Sequence, residues 1–127
     1  MMWLDPKEMS EWAYYYCRKK DIPEVRQFIT DPYWAYVYCL NIKDDPEIRK
    51  NITDSKGAYY YCRAVKDRSR IRKFIIDSEW AYHYCKYKED RPEVRKNITD
   101  SVWAYWYCRY IKDDPEIRKY IKERECG

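Results

Sequence analysis

One short block of residues returns through this chain at nearly constant spacing, and no other feature restricts the fold as much. Trp12-Ala13-Tyr14-Tyr15-Tyr16-Cys17 comes back as Trp34-Ala35-Tyr36-Val37-Tyr38-Cys39, then as Gly57-Ala58-Tyr59-Tyr60-Tyr61-Cys62. It returns again as Trp80-Ala81-Tyr82-His83-Tyr84-Cys85 and Trp103-Ala104-Tyr105-Trp106-Tyr107-Cys108, at spacings of 22, 23, 23 and 23 residues. A second block keeps step, as Pro23-Glu24-Val25-Arg26, Pro46-Glu47-Ile48-Arg49, Ser69-Arg70-Ile71-Arg72, Pro92-Glu93-Val94-Arg95 and Pro115-Glu116-Ile117-Arg118. Five copies of one unit, at approximately 10–31, 32–54, 55–77, 78–100 and 101–123, nearly fill the 127 residues, so a single repeat domain is expected.

Each unit reads as two helices. Trp80, Ala81, Tyr84 and Cys85 fall on one stripe at helical period, extended in other copies by Ile42, Val65 and Ile111. Asp31, Asp54, Asp77 and Asp100 stand just ahead, where a side chain can cap the first free N–H groups. The second segment opens with Asp-x-Pro-Glu (Asp44…Glu47, Asp90…Glu93, Asp113…Glu116), an acidic form of the capping box with Pro in the first turn. Its apolar pairs lie four apart: Val25/Ile29, Ile48/Ile52, Ile71/Ile75, Val94/Ile98 and Ile117/Ile121. Asp5-Pro6-Lys7-Glu8 is one more start signal, which predicts a long first helix.

A unit of this length carries too few apolar side chains to offset the entropy of ordering it, so neighbours must share a core. The prediction is an all-α chain, an α-solenoid of five stacked 23-residue helix-turn-helix units. Leucine-rich and β-hairpin repeats of similar length need regular Leu or abundant Gly, whereas Gly occurs here only at Gly57 and Gly127. Aromatic residues make up 19% of the chain, which argues against disorder. A mean hydropathy of −0.99 argues against a membrane span, and Met1-Met2-Trp3-Leu4-Asp5-Pro6 lacks the basic and apolar segments of a signal peptide. A cytoplasmic, reducing location is the expectation. The charged ending Lys122-Glu123-Arg124-Glu125 is expected to form a polar terminal cap.

The pattern as a whole resembles the two-helix α-solenoid class, alongside tetratricopeptide and HEAT-type proteins but with a shorter unit. Asp-x-x-Trp-Ala-Tyr-x-Tyr-Cys with Pro-Glu-Val-Arg is also similar to tandem repeats in uncharacterised microbial and viral reading frames. The resemblance implies a binding scaffold and no particular site residue.

No set of residues forms a catalytic or metal motif, and neither a cofactor nor an enzymatic activity is expected. Cys17, Cys39, Cys62, Cys85 and Cys108 share one helical position, at the spacing of stacked helices rather than of disulfides or zinc knuckles, and are read as buried, reduced, slow-reacting hydrophobes. Cys126 should react at once. His83, the single histidine, lacks a fixed partner and sits at an offset that varies between copies. Asn51-Ile52-Thr53 and Asn97-Ile98-Thr99 match a glycosylation acceptor but fall in the second segment, where the match is taken as chance.

Two surfaces compete for a binding role. One is the variable offset Tyr15, Val37, Tyr60, His83 and Trp106, flanked by Arg63, Lys86 and Arg109, an aromatic and basic mixture of the kind protein interfaces enrich. The other is the row Arg26, Arg49, Lys50, Arg72, Lys73, Arg95, Lys96, Arg118 and Lys119, readable as a phosphate track. The same arginines can instead form a stacking ladder, each bonding an aspartate of the next unit (Asp54, Asp77, Asp100). The middle copy departs from the rest: Gly57 replaces Trp, Ser69 replaces Pro and Arg70 replaces Glu. Losing a core aromatic leaves a void costing about 3–5 kcal/mol unless it is filled, and Phe74 is the expected filler, a functional notch being the other reading. The leading expectation is a scaffold for another protein. A nucleic-acid binder, or an engineered or structural repeat without a partner, stays open, as does end-to-end self-association.

Overall fold

The computed structural model describes residues 4–122, and they form an all-α structure of ten helices with no strand among them. Long helices alternate with one-turn helices. The long ones are α1 (Pro6–Lys19), α3 (Pro32–Asn41), α5 (Ser55–Ala64), α7 (Ser78–Tyr87) and α9 (Ser101–Tyr110). The short ones are α2 (Pro23–Arg26), α4 (Pro46–Arg49), α6 (Ser69–Arg72), α8 (Pro92–Arg95) and α10 (Pro115–Arg118). Each long helix packs on the next long helix, and each short helix on the long helix before it.

The long helices start where the aspartates allow. Asp31 accepts from the Tyr33 and Trp34 amides, Asp77 from Glu79, and Asp100 from Val102 and Trp103. Asp5 caps α1 through the Glu8 amide at 2.8 Å, which gives the first helix its expected extra turn. The second segment is shorter than expected. After Arg49 the chain continues with i→i−3 bonds (Asn51 N to Ile48 O, Ile52 N to Arg49 O), so Ile52 and its equivalents lie beyond the helix.

The core is one residue type per position. Ala13, Ala35, Ala58, Ala81 and Ala104 are fully buried, and so are Ile29, Ile52, Ile75 and Ile98. The small alanine lets adjacent long helices approach. Ser10, Ser55 and Ser78 close the junctions of their own copies, whereas α3 has Pro32 at that position: Ser78 Oγ accepts from the Thr99 and Asp100 amides at 3.0 and 3.1 Å and donates to Asn97 O at 3.1 Å. Asn51 and Asn97 are also structural, each donating to an isoleucine carbonyl of the preceding copy (Ile29 and Ile75) at 2.9 Å.

Tyr38, Tyr61, Tyr84 and Tyr107 are fully buried too, which puts four hydroxyls in the core. Each donates to an aspartate 17 residues earlier: Tyr38 to Asp21 at 2.8 Å, Tyr61 to Asp44 at 2.8 Å, Tyr84 to Asp67 at 2.6 Å and Tyr107 to Asp90 at 2.8 Å. The same aspartates receive the recurring arginines from five residues later, Arg26 on Asp21 at 3.0 Å, Arg72 on Asp67 at 2.6 Å and Arg95 on Asp90 at 3.0 Å. Arg49 meets Asp44 at 3.3 Å.

Two expectations are corrected here. The arginines do not bond Asp54, Asp77 and Asp100, which are helix caps; they bond the aspartate of their own copy, and the tyrosine carries the link to the next. Nor do Asp44, Asp90 and Asp113 cap the short helices. Asp45 and Asp114 take that role, and α8 has Arg91 at its N-cap position with no side-chain cap. Residues 123–125, expected to cap the end of the chain, lie outside the described residues.

Phe74 does not fill the space left by Gly57. The cavity beside Gly57 is lined by Lys7, Asp31, Tyr33, Trp34, Asp54 and Lys56, whereas Phe74 lines a neighbouring one with Thr53, Ile76 and Trp80. The α5 cap crowds the point from which a side chain would start. A Cβ on Gly57 would lie 2.8 Å from Asp54 Oδ1, which accepts the Gly57 amide at 2.7 Å.

Burial alone would push the Asp44, Asp67 and Asp90 carboxyls up, but hydrogen bonds from the tyrosines and the arginine charges outweigh it and hold all three below the usual carboxylate range. Tyr84→Phe removes a donor from Asp67 and an acceptor from Arg91, and is expected to cost about 1–3 kcal/mol in urea unfolding. Acid acts on the same bonds. With folded pKa values below the ordinary value of about 3.9, stability is whole above that pH and drains away as pH falls through it towards the folded values. The melting temperature should hold steady at mild pH and drop below about pH 4, less steeply in Asp67→Asn; a midpoint that climbs on acidification contradicts the assignment.

Candidate functional site

The outward face of the long helices carries most of the aromatic side chains, and successive helices bring them into contact. Tyr15 on α1 lies 5.8 Å from Trp34 on α3, centroid to centroid. Trp34 touches Tyr33, Tyr33 touches Tyr36, and Tyr36 stacks on Tyr60 of α5 at 5.7 Å. Tyr60 meets Trp80 of α7 at 5.6 Å, Trp80 meets His83 at 5.2 Å, and His83 meets Trp103 of α9 at 5.4 Å. An unbroken ribbon of rings therefore crosses all five long helices. Edge-to-face and offset pairs at these separations add about 0.5–1.5 kcal/mol beyond area burial.

Cations lie over the ribbon. The Arg63 guanidinium sits 5.2 Å from the Tyr87 ring and donates to Tyr59 Oη at 2.8 Å. Lys86 Nζ is 4.8 Å from the Tyr110 ring and 5.5 Å from Tyr87, bridging α7 and α9. Arg109 covers Tyr110 at 5.5 Å, and Trp106 stacks on the same ring at 5.1 Å. These cation–π contacts hold the long basic side chains flat on the face.

The variable offset is thus only partly outward. Tyr15 and Trp106 are exposed, but Val37, Tyr60 and His83 are half-buried between neighbours, since the next helix leans over them. Burial lowers the His83 pKa, with Lys86 and Arg63 acting the same way against Glu79, so the imidazole is neutral at pH 7. Tyr33 and Tyr36 belong to the ribbon although they were not singled out in the sequence. Their signal was present as aromatics one before and two after the recurring Trp.

The basic row divides. Arg26, Arg49, Arg72 and Arg95 are engaged by the half-buried carboxylates of Asp21, Asp44, Asp67 and Asp90, with side chains only 12–19% exposed. Arg118 pairs with Asp113 at 2.9 Å in the open. Lys50 and Lys119 pair with Glu47 and Glu116 at 2.7 and 3.2 Å, and Lys73 rests on the Phe74 ring at 5.4 Å. Lys96 is exposed.

No group of acids, cysteines and His83 among the described residues could hold a metal ion, and no helix there is long and apolar enough to cross a membrane. The cysteines are free thiols. Burial pushes Cys39, Cys62 and Cys85 up to about 12, so almost no thiolate forms at neutral pH. Cys108 differs from the expectation in being half-buried, because no further long helix covers it among the described residues. Cys126 lies outside them. In the native protein Cys39, Cys62 and Cys85 should react with a thiol reagent only on unfolding, and Cys108 well before them; rapid labelling of Cys62 would contradict the burial. Compared with family models, with curated proteins and with solved structures, the chain finds no match.

Proposed function

We propose that the chain is an α-solenoid of five stacked helix-turn-helix units, akin to the tetratricopeptide and HEAT-type class, that serves as a non-enzymatic scaffold for another protein. The solenoid reading rests on contacts that recur with the sequence period, above all the tyrosine-to-aspartate bond every 23 residues. The binding reading is carried by the aromatic ribbon. Tyr15 and Tyr33 are exposed along it, and Tyr87, Trp106 and Tyr110 are exposed beside it together with Arg63, Lys86 and Arg109. Tyr, Trp and Arg dominate binding energy at protein interfaces because rigid rings and planar guanidinium groups bury large areas at little entropic cost. The free thiols fit a reducing, intracellular setting.

A nucleic-acid track along the basic row is the weaker reading, since four of its five arginines already pair with half-buried carboxylates. Affinity capture from lysate separates the two. The wild-type chain should retain a protein partner after nuclease treatment, and Tyr60→Ala with Trp106→Ala should abolish its recovery while the helical circular dichroism persists. Lys50→Gln, Lys73→Gln and Lys96→Gln together should leave capture intact. Recovery that disappears with nuclease, or with the lysine variant alone, overturns the protein-scaffold reading in favour of nucleic acid.

A further inference from the structure

The middle copy breaks the charge pattern of its neighbours at one place, and a cleft opens there. Between α4 and α6 lies a cavity of about 670 Å³, within the range of small-molecule sites. Arg49, Lys50, Lys66, Arg68, Arg70 and Lys73 line it, and its single carboxylate, Asp67, is already bonded to Arg72 and Tyr84. The equivalent cleft between α8 and α10 is smaller, about 280 Å³, and is balanced by Asp114 and Glu116 against Arg95, Lys96 and Lys119. At the positions of that acidic pair the middle copy carries Arg68 and Arg70.

The exchange works against local stability. In the second and fifth copies the glutamate of the short helix holds a lysine three residues on, Glu47 with Lys50 and Glu116 with Lys119. Here the same spacing joins Arg70 to Lys73, a like-charged pair on one face, which destabilises by as much as the ion pair stabilises. Arg68 and Arg49 must share Asp44, at 3.0 and 3.3 Å. Lys66, Arg70 and Lys73 have no carboxylate partner among the described residues. Ser69, standing where four copies have Pro, adds a hydroxyl and an N–H donor to the rim. Ile52, Ile71 and Phe74 supply an apolar floor. A concave site with excess guanidinium and ammonium donors is completed by an anion of several charges, and phosphate groups match both the charge and the fork geometry of Arg.

We propose that the α4–α6 cleft is a binding site for a small, multiply phosphorylated molecule, with Lys66, Arg70 and Lys73 as its principal donors. The site shares no residue with the aromatic ribbon, so it stands or falls apart from the scaffold reading.

Isothermal titration of the full chain with sodium tripolyphosphate, and separately with ATP, tests this at constant ionic strength against sulfate. One-to-one binding of tripolyphosphate, stronger than that of sulfate, is expected. ATP binding tighter than tripolyphosphate supports a ligand whose ring uses the apolar floor, and equal affinities support recognition of the phosphates alone. Ser69→Pro with Arg70→Glu gives the middle copy the Asp-Arg-Pro-Glu order of Asp90-Arg91-Pro92-Glu93, so the variant has a precedent for folding within the chain itself. It should lose at least about tenfold in affinity, about 1.4 kcal/mol, as should Lys66→Gln with Lys73→Gln. Lys96→Glu with Lys119→Glu, in the balanced cleft, should change little. No binding of either phosphate compound beyond that of sulfate overturns the proposal, and so does an equal loss from the α8–α10 variant, which would mark a diffuse charge effect or a polymer track.

Discussion

A tyrosine hydroxyl carried into a core needs an acceptor, since leaving it unpaired costs as much as several buried methylene groups gain. Tyr38, Tyr61, Tyr84 and Tyr107 impose that requirement at every junction between long helices, and an aspartate of the preceding copy meets it each time. The aspartate in turn is a half-buried charge, tolerable because an arginine of its own copy neutralises it. Donor and acceptor come from different copies, so the triangle sets the offset between neighbouring helix pairs. Apolar contacts alone, being non-directional, would allow helices to slide.

The surface follows from that offset. Fully buried alanines bring the long helices together, and the triangle fixes their register, so rings on one helix land on rings of the next. The arginines spent inside leave the outward charge to lysines and to the arginines that ride on the aromatic face. The continuity of the aromatic ribbon and the structural role of the arginine row are therefore two results of one packing solution.

The middle of the chain departs from the pattern on both sides. At α5 the Asp54 carboxylate would crowd a Cβ on Gly57 at 2.8 Å, and on the preceding α3 Pro32 stands where the other long helices carry the junction serine. At α6, Arg70 stands where every other short helix carries a glutamate, and Ser69 where each carries a proline. Repetition elsewhere shows what the fold requires, and these sites depart from it in chemistry as well as in shape. A local rule broken with no visible structural gain is where a ligand-binding role is best sought.

Much of this was legible in the sequence, because it depends on neighbours a few residues away. The period, the long-helix caps at Asp31, Asp54, Asp77 and Asp100, and the stripe of Ala, Tyr and Cys are all short-range patterns that a single unit carries. What could not be read is each choice made by a partner far along the chain. Asp44 and Asp45 look alike as caps; the hydroxyl of Tyr61, 17 residues on, selects Asp44 as its acceptor and leaves Asp45 to cap α4. Arg72 looks equally able to reach Asp77 or Asp67, and only the packed core puts Asp67 within 2.6 Å. By sequence position Phe74 suits the space at Gly57, yet the fold places it against another cavity. Periodic sequence determines which elements form and which faces meet, through local hydrogen bonding and apolar spacing. The pairing of charges and hydroxyls waits for the tertiary structure, because those groups bond whatever the packed helices bring within about 3 Å.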